Sequence, residues 1–109
     1  MAYEIEFAAS VKLQVQALTA DQRSRLWNAI EQQLLHEPLV ETRNRKKLRP
    51  NPVAPWELRV GALRVFYDVT ETTVDPQTGL AVSAGKVQIL AVGEKMGNVL
   101  RIGGEEVQL

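Results

Sequence analysis

The chain has 109 residues, 45% of them hydrophobic, with thirteen cations, thirteen acids, one histidine and no cysteine. That is enough for one compact domain over residues 1–109 with one core, and it excludes disulfides, thiolate nucleophiles and sulfur-bound zinc, so that neither a metal nor another cofactor is expected. No apolar run approaches the roughly 18 residues of a membrane span, and the acidic start "MAYEIEF" does not read as a signal peptide; a soluble, cytoplasmic protein without a membrane partner is the expectation.

"AYEIEF" alternates Tyr3, Ile5 and Phe7 with Glu4 and Glu6, a period of two that predicts a strand with one face on the core. Ser10 is placed to cap a short helix in which Val11, Val15 and Leu18 recur at helical spacing, ending near Thr19. "TADQ" then reads as a capping box, in which the Thr19 hydroxyl and the Gln22 side chain satisfy each other's orphan backbone donors. The following helix places Leu26, Trp27, Ile30, Leu34 and Leu35 on one face and stops at "HEP", because Pro38 disfavours helical geometry in Glu37. The two helices should form an antiparallel hairpin, with Trp27 in the core and His36 favouring the helix end.

Pro38 to Pro55 contains four prolines and predicts an extended connection. It is also where charge departs from neutrality. Residues 1–42 carry three cations and six acids, a balance of −3; residues 43–67 carry seven cations (Arg43, Arg45, Lys46, Lys47, Arg49, Arg59, Arg64) against Glu57 alone, a balance of +6; residues 68–109 return to −3.

"WELRV", "GA" and "LRVFYDVT" predict strand, tight turn and strand, with Gly61 supplying the positive φ of a type II′ turn. A two-residue loop sets Trp56 against Tyr67, Glu57 against Phe66, Leu58 against Val65, Arg59 against Arg64 and Val60 against Leu63. Trp56, Leu58, Val60, Leu63, Val65 and Tyr67 then face the helices, while Glu57, Arg59, Arg64 and Phe66 share the other side. "DPQTG" (Asp75 to Gly79) marks a turn within a longer, mobile connection from Glu71 to Gly85. "KVQILAVG" predicts a central strand covered on both faces, and "VLRI" a last short one. The expected fold is α+β: an N-terminal strand and a helical hairpin packed on a mainly antiparallel sheet of four to five strands.

Opposed arginines destabilise a sheet. At about 5 Å and an effective dielectric near 20 the raw repulsion is roughly 3 kcal/mol, which exposure and salt reduce to about 1 or less. Glu57 on Arg59 and Asp68 on Arg64 would make this an ordinary solvated face. Alternatively, the cations of "RNRKKLR" running into the hairpin, with Phe66 beside the guanidinium groups as a stacking surface, suit a polyanion with stackable bases, namely RNA or another single strand.

The succession "KKLRPNP", "WELRVGALRVFYDV" and "VQILAVGEK" after a helical hairpin resembles the RelE/ParE superfamily of toxins from bacterial type II toxin-antitoxin systems, over about residues 3–102. In RelE-like members the resemblance implies a ribosome-dependent endoribonuclease that inhibits translation by cutting messenger RNA. The cut proceeds by attack of a ribose 2′-hydroxyl on the adjacent phosphate, without a metal. The family's basic positions fall on Arg59, Arg64 and Lys95, which the resemblance makes catalytic, and on Lys47 and Arg49; these two, with Arg43, Arg45, Lys46 and Phe66 from the charge and stacking pattern and with Arg101, make the expected RNA-binding set. Implied partners are a cognate antitoxin, the ribosome and messenger RNA. Where the nucleases carry a lysine after the aromatic of the second strand this chain has Glu57, and where they carry a C-terminal tyrosine it has Val99, Leu100 and Arg101. The general acid is therefore unassigned, with Lys95 a candidate. Two alternatives are a ParE-like toxin that inhibits DNA gyrase without cutting nucleic acid, and a non-toxic, antitoxin-bound homologue.

Overall fold

The computed structural model describes the backbone of residues 2–109 and the side chains of all of these except residues 72, 73 and 81–84. The chain is α+β, and the described residues form nine elements in the order β1 (Glu4–Phe7), α1 (Ala9–Gln16), α2 (Ala20–Leu34), β2 (Arg45–Lys47), β3 (Trp56–Val60), β4 (Leu63–Val74), β5 (Ala81–Met96), β6 (Val99–Ile102) and β7 (Glu105–Val107). The strands form one sheet in the order β2-β3-β4-β5-β6-β7, with β1 parallel to β5 and the other pairings antiparallel. Seven strands replace the four to five expected.

β5 organises the sheet because it is long enough to be shared. One edge pairs with β4, while β1 takes residues 86–89 and β6 takes residues 93–96 of the other edge. In the gap between β1 and β6, the Val92 N–H donates to Gln14 Oε1 at 2.7 Å, so a side chain from α1 closes the ladder. A bulge at Leu90, where Phe66 pairs with Ala91 and Tyr67 with Ile89, changes which residues face each side.

The main core lies between helices and sheet: Val11, Val15, Leu26, Ile30 and Leu34 pack on Trp56, Leu58, Val65, Tyr67, Val87, Ile89 and Val92. α2 begins at the expected capping box, with Thr19 N–H donating to Gln22 Oε1 at 2.9 Å and Gln22 N–H to Thr19 Oγ1 at 3.1 Å. α1 begins two residues earlier than a Ser10 cap would set it. Its N-cap is Ala8, without a side-chain cap, because the Ala8 N–H still completes the β1 ladder to Ile89 and its carbonyl already accepts from Val11. Trp27 is 40% exposed rather than core, meeting the Phe7 ring edge-on at 5.0 Å.

A second core occupies the opposite face of the sheet. Ala54, Phe66, Ala91 and Leu100 are buried there against Leu48, Val53, Leu90, Ile102 and Val107. It exists because the proline-rich stretch crosses this face and because Gly103 and Gly104, both at positive φ, turn β6 back into β7. Asn51 holds the crossing in shape, accepting from Val53 and Ala54 N–H and donating to the carbonyls of Arg49 and Ala54. The connection from Pro38 to Pro55 is therefore not merely extended, since it contains β2. Glu71 to Gly85 is likewise a continuation of the β4–β5 hairpin, closed by a turn in which Asp75 Oδ1 accepts from the Gln77 N–H and the Asp75 carbonyl from the Gly79 N–H.

Tyr67 ties the sheet to the end of the helical layer. Its ring stacks on Trp56 at 6.0 Å, and its hydroxyl donates to the Pro38 carbonyl at 2.7 Å. Burial raises its pKa above the ordinary 10.0. In the unfolded chain the phenol ionises near that ordinary value, so the stability it contributes is complete below pH 10 and falls as pH rises toward the folded value. Denaturant titrations between neutral pH and about pH 11 should show stability declining from about pH 10, with a shallower decline in Tyr67→Phe.

Candidate nucleic-acid interface

The β3–β4 hairpin has the register expected of a two-residue loop, with Trp56, Glu57, Leu58, Arg59 and Val60 opposite Tyr67, Phe66, Val65, Arg64 and Leu63. Gly61 carries the positive φ, at 58°, and among the described residues no non-glycine residue has one. Arg59 and Arg64 therefore face each other across the strands. The two are not equivalent. Arg64 is only 8% exposed, and its Nη1 donates to the carbonyls of Gly61 at 2.7 Å and Leu63 at 2.8 Å. Its Nε lies 3.0 Å from Glu57 Oε1, within ion-pair range, though the N–H is not aligned for a hydrogen bond. Arg59 is exposed and has no carboxylate partner among the described residues.

This arrangement answers the repulsion between them. Glu57 neutralises the buried arginine from the diagonal position, and the other arginine stays in solvent. The pairing differs from the solvated-face alternative, in which Glu57 would meet Arg59 and Asp68 would meet Arg64; Asp68 instead accepts from the Val69 N–H. Burial lowers the Arg64 pKa, Glu57 opposes that shift and Arg59 reinforces it.

Lys95 joins this site from β5. Gly93, opposite Arg64, shares a face with Lys95, whose own backbone N–H donates to the Ala62 carbonyl at the hairpin turn. Glu57, Arg64, Lys95 and Asn98 line a cleft of about 400 Å³ together with Gln108 and Leu109. An adjoining cleft of about 310 Å³ is lined by Lys46, Lys47, Arg49, Asn51 and again Leu109. Across the sheet Lys46 lies opposite Glu57, which sets it on the same face as Arg59 and Arg64. Five of the predicted positions thus line two neighbouring clefts, with Arg59 at their side and Arg43 exposed in the loop before β2.

Three predicted RNA-binding residues are placed differently. Phe66 has 0% exposure in the second core, so it presents no ring face for a base. Arg45 is 6% exposed because its position opposite Leu58 sets it on the helical face, under the end of α2. There its Nε donates to the Val40 carbonyl at 2.9 Å and its Nη1 to the Gln33 carbonyl, with Glu37 Oε2 at 3.7 Å from Nη2. Arg101 lies opposite Glu94, and Glu94 accepts from Gln22 Nε2 at 3.0 Å, so Arg101 is on the helical side of the sheet, away from Arg64 and Lys95. It lines a separate cleft of about 500 Å³ beside Gln14, Gln22 and Glu94.

Arg45→Ala leaves two carbonyls near the end of α2 without this donor. It should lower stability by about 2–3 kcal/mol in a urea titration, while leaving RNA affinity per folded molecule unchanged.

The residues that pattern reading missed are Glu57 as the counter-ion of Arg64 rather than of Arg59, Asn98, and the pair Gln108–Leu109. A signal existed for the last two. "GG" between Ile102 and Glu105 is a hairpin loop, which brings the chain end back along β6. Chemically, the two clefts combine exposed cations with one partly neutralised guanidinium and one carboxylate, a set that can bind phosphodiester groups and transfer protons. Compared with protein-family models, curated proteins and solved structures, the chain matches none.

Proposed function

We propose that this protein is a toxin of the RelE type that binds RNA along the clefts between β2 and β5 and cuts messenger RNA on the ribosome. The observation that carries the reading is the meeting of Arg64, Lys95 and Glu57 in one cleft, with Arg59 and the Lys46–Arg49 stretch beside it. Support also comes from the succession of strand, helical hairpin and antiparallel strands along which the sequence resemblance runs.

In this reading the phosphate to be cut lies against Lys95 and Arg64, whose charges stabilise the phosphorane as it gains negative charge. Glu57 takes the proton of the 2′-hydroxyl, the 2′-oxygen attacks phosphorus, and the bond to the 5′-oxygen breaks. Lys95 supplies a proton to that departing oxygen. The products are a 2′,3′-cyclic phosphate and a 5′-hydroxyl end. Incubation with translating ribosomes, followed by mapping of messenger RNA ends, should reveal cuts that Arg59→Ala and Arg64→Ala reduce while the thermal midpoint of Arg59→Ala is retained. RNA binding should weaken with salt at a logarithmic slope of about −0.7 per phosphate contacted, or about −3 for four or five contacts. A flat salt response would remove the RNA reading.

One observation favours a second reading, a ParE-like toxin that inhibits gyrase without cutting. Arg64 already serves two carbonyls and Glu57, which leaves less of its guanidinium for a phosphate. Intact messenger RNA together with inhibited supercoiling by gyrase would decide for it. The cognate antitoxin, under either reading, is the partner expected to cover the basic face.

A further inference from the structure

The two basic clefts share one lining residue, Leu109. Lys46, Lys47 and Arg49 line the cleft on one side of it, and Glu57, Arg64 and Lys95 the cleft on the other. The segment that reaches this point is anchored at Val107. Val107 pairs with Leu100 across β6–β7 and packs into the second core, and Gln108 then lines the Arg64–Lys95 cleft before Leu109 touches both.

We propose that Gln108 and Leu109 form a strap lying across the middle of one continuous anion track, and that a phosphodiester chain binds by displacing it. The inference rests on the RNA reading above and adds a regulatory element to the same site. Three features fit a strap better than a fixed part of the fold. No backbone hydrogen bond outside the strand ladders holds residues 108 and 109 among those described. Leu109 is 44% exposed, so it covers the track while burying only part of its own side chain. Cations line the clefts on both of its sides, Arg64 and Lys95 in one and Lys46, Lys47 and Arg49 in the other, so its apolar group stands where a polyanion would be better accommodated.

If the strap closes the track most of the time, the apparent affinity for RNA falls in proportion to the open fraction. Replacing both residues, Gln108→Gly with Leu109→Gly, then tightens binding without adding contacts. Two measurements on the whole chain test this together. Phenylglyoxal modification of Arg64, followed by peptide mass spectrometry, reads coverage of the cleft without any nucleic acid. Anisotropy of a short fluorescein-labelled single-stranded RNA reads affinity.

The expected result is faster modification of Arg64 and about threefold to tenfold tighter RNA binding, with the same salt slope and an unchanged thermal midpoint. Unchanged modification would overturn the strap whatever the RNA does. Faster modification with equal or weaker RNA affinity would overturn its role as a gate. Faster modification with no RNA binding by either protein would leave Arg64 covered by the strap but remove the RNA reading on which the gate depends. The single variant Leu109→Gly repeats both measurements should the double variant melt early.

Discussion

Phe66→Ala should destabilise the protein by about 3–5 kcal/mol, among the largest effects of any single substitution in the chain. The ring is fully buried against Ala54, Ala91 and Leu100, small or fixed neighbours that cannot close around the space it would leave. Phe66→Leu keeps most of the volume and should cost about 1–2 kcal/mol. The comparison also separates packing from recognition. A stacking role would make RNA affinity per folded molecule fall in both variants, whereas the buried ring predicts no change in Phe66→Leu. Urea titration and anisotropy on the same preparations would give both answers.

Under the nuclease reading, Lys95→Ala should reduce messenger RNA cleavage by about 100- to 1000-fold, the usual effect of removing one preorganised charge from a developing anion. Its ammonium is exposed at the cleft it shares with Arg64 and Glu57, so its removal opens no cavity and the thermal midpoint should stay close to that of the parent. Lys95→Arg preserves the charge but replaces a compact donor with a planar one, and should recover binding more fully than cleavage. Loss of cleavage with an unaltered RNA dissociation constant would assign the lysine to the chemical step. Equal losses in both would assign it to binding. Arg64→Ala, by contrast, removes a buried group that also holds the hairpin turn, and its effects on stability and activity would be mixed.

How far the sequence can be read depends on what local chemistry dictates at each point. The β3–β4 register was legible because a glycine-led two-residue loop leaves one way to pair the flanking residues, and the α2 start because Thr19 and Gln22 satisfy each other. The cover over Phe66 was not legible. Alternation assigns that residue to the outward face, and nothing periodic in "LRPNPVA" or "GGEEVQL" says that those segments return to bury it. β2 escaped for a related reason: three cationic residues at a sheet edge carry no apolar alternation, and charged side chains are themselves what such edges use to resist further pairing. Arg45 then followed the missed strand, since only its register opposite Leu58 reveals that it faces the helices. Of the candidate site, Arg59 and Arg64 could be set opposite one another by the hairpin register, whereas Lys95 came only from the family resemblance, because the bulge at Leu90 reverses the alternation of β5; the assignment of Glu57 to Arg64 rather than Arg59 depends on side-chain packing that no spacing rule supplies.

The parallel pairing of β1 with β5 joins Glu4 to Lys86, nearly the full span of the chain. Contacts of such long separation form late, because the intervening segment must first be ordered. During synthesis the first strand must wait for its partner, and the cleft that Glu57, Arg64 and Lys95 line cannot form until β5 has emerged. The sheet can therefore close around β5 only after that strand has been made, and the hairpin carrying Arg59 and Arg64 precedes the strand that brings Lys95 to it.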